Sequence, residues 1–168
     1  SVQTRRLIAL PTDKIAKMGL LICLGMILSY VETLVVLVPG VPGIKIGLSN
    51  ALVILLLYTY GMGYCILYQL CRIVLTSLLF GNVFGCLFSL AGAGCSLLIM
   101  YICRKIRFID VSANSMIGGI AHNMAQLAVA AALIHHASVW YYFPVLLLAG
   151  ALSGYAVGMI GTIILRRR

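Results

Sequence analysis

The stretch Pro39–Asn50, PGVPGIKIGLSN, breaks a long apolar run with two prolines, three glycines, a lysine, a serine and an asparagine. Proline fixes φ and removes a backbone donor, and glycine loosens the chain, so this segment cannot continue a membrane-spanning helix. Yet Lys45 lies between Ile44 and Ile46, and Gly47–Leu48 leads directly into another apolar run. Polar, broken backbone between two membrane helices either reaches water or lines a cavity within the protein. Both readings stand at this point: an ordinary external loop, or a substrate-facing loop whose charge is Lys45.

The sequence around this stretch is 63% hydrophobic and 9% charged, against roughly a quarter charged residues in a soluble domain. Apolar segments of about twenty residues recur between polar breaks, the signature of an all-α, polytopic membrane protein. The net charge of +9 sits in short clusters at segment ends. That distribution orients a chain in a membrane and gives no nucleic-acid signal. Residues 1–17 form a basic cytoplasmic lead-in, and residues 18–168 form a single transmembrane domain with no separate soluble unit.

Six helices are expected in that domain. The first runs from about Met18 to Val38, and the second, short for a span, from Leu48 to Tyr60. The third ends near Phe80 before Gly81–Asn82, and the fourth ends near Cys103. The fifth covers about Ser112 to Ile134 and the sixth Pro144 to Leu165. Six spans put the N-terminal cations, the Arg104–Arg107 loop and the three terminal arginines on one side, so both termini are expected inside. Trp140, Tyr141 and Tyr142 suit the outer headgroup boundary.

Several polar residues lie at bilayer depth, where an ionisable group costs roughly 2.5–3.5 kcal/mol on insertion scales. Glu32 on the first helix and Arg72 on the third have opposite charge and similar depth, roughly 9 and 12 Å below the outer ends at about 1.5 Å per residue. They form either a buried ion pair or an anion-binding arginine with an orienting carboxylate. Gln69 and Thr76 share the Arg72 face. On the fifth helix Gly118, His122 and Gln126 recur at four-residue steps beside Asn123, as interhelical glue or as part of a ligand site. Gly150, Gly154 and Gly158 make a small-residue ridge for helix packing on the sixth. The six cysteines show no metal spacing and read as packing residues, and no metal site is expected.

Three segments, PGIKIGLSN, FGNVFGCLFSLAG and GGIAHNMAQL, resemble the membrane family named heptaprenyl diphosphate synthase component I, also called the Gx transporter family. The resemblance covers about Lys14 to Leu165. It implies an architecture similar to the S components of energy-coupling-factor transporters, with a pocket near the outer face of a bacterial cytoplasmic membrane. It further implies work beside flavinylated extracellular proteins in quinone-linked electron export. The family's name, in contrast, implies isoprenoid synthesis. A prenyl synthase holds Mg²⁺–diphosphate on clustered aspartates, whereas Asp13, Glu32 and Asp110 lie far apart in this chain. Catalysis would therefore need a partner enzyme, and without a Walker A motif ATP-driven transport would need energising subunits.

These readings combine into one expectation: a pocket near the outer leaflet formed by Lys45, Ser49, Asn50, Arg72, Asn82, His122, Asn123 and Gln126. It would hold a small ligand, a quinone head group or a flavin-type molecule, none of them covalently bound. The alternatives are a non-catalytic membrane subunit of heptaprenyl diphosphate or quinone synthesis, and an anchor for a flavinylated redox partner.

Overall fold

In a computed structural model, residues 12–34 and 47–167 are described. Every regular element among them is helical: α1 (Thr12–Leu34), α2 (Leu48–Thr59), α3 (Met62–Phe80), α4 (Val83–Cys103), α5 (Val111–Ile134), a 3-10 helix (Ala137–Tyr142) and α6 (Phe143–Arg166). The first helix begins six residues earlier than the hydropathy alone indicates. Lys14 and Lys17 are carried on its exposed first turns, where long aliphatic stems let the charges reach the interface while the backbone stays helical.

Among the described residues, five helices are long and apolar enough to cross a membrane, and α2 is a shorter apolar helix. Its 12 residues extend roughly 18 Å at 1.5 Å per residue, against a hydrocarbon layer of roughly 30 Å. The start of α2 is set by Gly47, whose φ of 78° is left-handed and favours glycine.

The contacts define how the helices run. Gly25 lies against the Tyr68 ring and Ser29 meets Arg72 four residues further along both helices, so α1 and α3 are parallel; the tilted Tyr30 and Phe80 rings, centroids 4.7 Å apart, follow. Cys65 Sγ donates to the Val53 carbonyl and Tyr68 Oη to that of Ser49, so α2 is antiparallel to α3. Along α5, Ser115 bonds the Gly154 carbonyl and Asn123 that of Leu146, so α6 runs antiparallel to α5. The largest core cluster joins Met18, Leu56, Leu57, Met100 and Val157. It packs the start of α1 with the end of α2 and gathers Lys14, Lys17, Arg104 and Arg166 towards one end of the bundle. At the other end stand exposed Trp140, Tyr141 and Tyr142.

The glycine ridge of α6 packs inside the bundle. A Cβ at Gly150 would lie 2.7 Å from the Gly119 carbonyl oxygen, and one at Gly154 would lie 2.6 Å from that of Ser115. At Gly158 the nearest atom, 2.7 Å away, is Ser112 Cα. Backbone therefore meets backbone along the α5–α6 seam, as small residues in membrane helices permit.

Candidate functional site

A cavity of about 70 Å³ lies where α2 begins, and all six helices line it. Its polar groups include Ser29 and Glu32 from α1, Ser49 and Asn50 from α2, and Arg72 from α3. Ser89 comes from α4, His122, Asn123 and Gln126 from α5, and Ser153 from α6. Because α2 is short, its first turn opens within the bundle, and its leading N–H groups carry the positive end of the helix dipole.

Arg72 is 8% exposed. Its Nη1 donates to Ser29 Oγ at 2.9 Å and to Ser49 Oγ at 3.1 Å, and its Nη2 donates to Gln69 Oε1 at 2.7 Å. The guanidinium so ties three helices together. Its Nε is buried without a partner among the described residues. Glu32 is also buried, lines the same cavity and acts electrostatically on the guanidinium. Also lining the cavity, the His122 ring lies against the backbone of α4 at Gly92, where a Cβ would come within 2.8 Å of it. The Asn123 amide donates to the Leu146 carbonyl at 2.8 Å, so this residue both packs α5 on α6 and faces the cavity.

Of the eight pocket residues expected from the sequence, Ser49, Asn50, Arg72, His122, Asn123 and Gln126 meet in this cavity. Lys45 lies outside the described residues, as does the rest of the broken segment before Gly47. Asn82 belongs elsewhere. It is exposed, and its Oδ1 accepts the Gly85 N–H at 2.7 Å as the N-cap of α4. An asparagine one residue before an apolar helix is a favoured cap, and that local role accounts for it.

The sequence reading missed Ser29, Ser89 and Ser153, which contribute three hydroxyls. Serine in a membrane helix can satisfy its own hydroxyl against the preceding turn, so nothing local marks these three. Gln69, read only as a neighbour of Arg72, is a direct partner of the guanidinium. A narrower space of about 20 Å³ continues past Gly47, Asn50, Gly119 and Ser153 to Ser96 and Ser115. Among the described residues no three His, Cys, Asp or Glu side chains are grouped to hold a metal ion.

Long apolar helices around a buried polar cavity define an all-α membrane protein of the helical-bundle class. The family model for heptaprenyl diphosphate synthase component I matches residues 21–164, and the chain belongs to that family. No curated protein and no solved structure matches it.

Proposed function

We propose that this chain is a non-catalytic membrane subunit that binds a small, electron-rich group in the cavity at the start of α2 and acts with partner subunits. The observation that carries this reading is Arg72, a guanidinium buried mid-bundle and facing a polar cavity to which every helix contributes. Charge at that depth is costly and marks function when it faces a cavity. Glu32 lines the same space as a counter-charge to Arg72, while Asn50, His122 and Gln126 offer further hydrogen-bonding groups. The size and polarity suit a carboxylate or the carbonyl edge of a quinone. Six spans with both termini inside, an S-component-like pocket, and a role in transport or quinone-linked electron transfer belong to the same proposal.

The protein purified in mild detergent should carry a small molecule identifiable by mass spectrometry after extraction. Asn50→Leu and His122→Leu should each lower its retention about tenfold, the loss expected for one good hydrogen bond to a charged or strongly polar group. Cys95→Ala, an exposed site, should retain it fully. Undiminished retention in well-folded Asn50→Leu and His122→Leu proteins would overturn the reading.

The family supports a second reading, a membrane subunit of heptaprenyl diphosphate synthase. Here the prenyl-transferring site lies on a partner, and the chain supplies membrane attachment. An affinity-tagged chain would then co-purify with prenyltransferase activity, and membranes lacking the chain would lose the bound fraction of that activity.

A further inference from the structure

A second cleft, of about 350 Å³, opens at the basic end of the bundle, well away from the Arg72 cavity. It lies between the end of α2, the loop joining α4 to α5, and the last turn of α6, and Arg104 and Arg166 both line it. Arg104 is held in place there. Its Nη1 donates to the Leu57 carbonyl, and its guanidinium carbon stands 5.2 Å from the centre of the Tyr58 ring. A guanidinium fixed in advance loses less freedom when it binds an anion, and its planar fork suits phosphate oxygens.

Tyr58 adds a directed donor. Its hydroxyl oxygen accepts the Asn114 Nδ2–H at 2.8 Å, from a side chain that is fully buried. That leaves the Tyr58 hydroxyl hydrogen to donate into the cleft. Asp110 is the one carboxylate among the lining residues, and its Oδ1 accepts the Ala113 N–H as the cap of α5. Two guanidiniums against one carboxylate give a net positive cleft.

The surroundings indicate what carries the anion. Ile109 and Leu165 form apolar walls beside the arginines. In the same loop Phe108 is 96% exposed, a placement that suits the boundary between headgroups and acyl chains. Basic clefts between helices at this depth bind lipid head groups.

We infer that this cleft binds the phosphate head group of a membrane amphiphile, with Arg104, Arg166 and Tyr58 as donors and the apolar chain lying against Ile109 and Leu165. The anionic phospholipid of the surrounding membrane is the expected source, and an isoprenoid diphosphate presents the same chemistry. The inference uses none of the Arg72 cavity residues, so its failure would leave the proposed function untouched.

Native mass spectrometry of the full chain in detergent tests it, with phosphatidylglycerol, phosphatidylcholine, farnesyl diphosphate and inorganic phosphate as probes. Phosphatidylglycerol should bind about tenfold more tightly than phosphatidylcholine, as expected where charge-assisted contacts to the guanidiniums dominate. Arg166→Gln and Tyr58→Phe should each remove most of that preference. Tyr58→Phe keeps the ring that Arg104 stacks on, and Arg166 is exposed, so both variants should fold. Preferential binding of farnesyl diphosphate, lost in the same variants, would assign the cleft to isoprenoid diphosphates and support the inference. Equal binding of the two phospholipids without farnesyl diphosphate binding would overturn it, as would a preference unchanged in both variants. Binding of inorganic phosphate that neither phosphatidylglycerol nor farnesyl diphosphate displaces would also overturn it.

Discussion

Arg72 shows how a charge is kept at membrane depth. Its donors reach two serine hydroxyls and a glutamine carbonyl on α1, α2 and α3, replacing the water that hydrocarbon cannot supply. Arg72→Gln should therefore loosen three helices at once. We expect a loss of roughly 1.5–3 kcal/mol, the range for hydrogen bonds to a charged group, read as a lower thermal unfolding midpoint in detergent. Asn114 has a comparable structural role at the other end of α5. Its Nδ2 reaches Tyr58 Oη at 2.8 Å and the Met100 carbonyl at 3.1 Å, joining α5 to α2 and α4. Asn114→Leu should cost about 1–3 kcal/mol by leaving buried polar groups unmatched, whereas Tyr58→Phe should cost less because the Met100 bond remains. Asn82 carries the opposite lesson. Its residue type suggested a ligand, but its position before an apolar helix already indicated a cap.

Among the elements, α2 and the α5–α6 pair contribute in different ways. The short α2 begins at left-handed Gly47, and its first turn lines the polar space inside the bundle. The α5–α6 pair instead depends on close backbone approach. Gly154→Val should drive α5 and α6 apart, since even its Cβ would lie 2.6 Å from the Ser115 carbonyl oxygen and 2.9 Å from Met116 Cα. Neither is a flexible side-chain end. A penalty of at least about 1–3 kcal/mol, typical of overpacking, should appear as poor yield and early unfolding in detergent. Gly94→Ala is the control, because a Cβ there meets nothing within 4 Å.

At the scale of the whole molecule, the described cations other than Arg72 collect towards one end of the bundle, and exposed Trp140, Tyr141 and Tyr142 mark the other. If both termini lie inside, as proposed, a cysteine at position 107 on a background free of native cysteines should react only with reagents on the cytoplasmic side. Labelling of position 107 from outside would reverse the orientation. The sequence alone determined the helical membrane class, most helix positions and the polar face of α5, because these rest on composition and on periodicity within single segments. It also identified Glu32 and Arg72 as residues needing an explanation, since the cost of a charge at membrane depth follows from the surrounding hydropathy. Only the tertiary structure decided that Ser29, Ser89 and Ser153 share a cavity with Arg72 and His122. It likewise decided that Tyr58 and Arg104 meet across an interhelical cleft. Such groupings join residues far apart in the chain, and their geometry follows from how helices cross and how deep each one begins, which no single segment encodes.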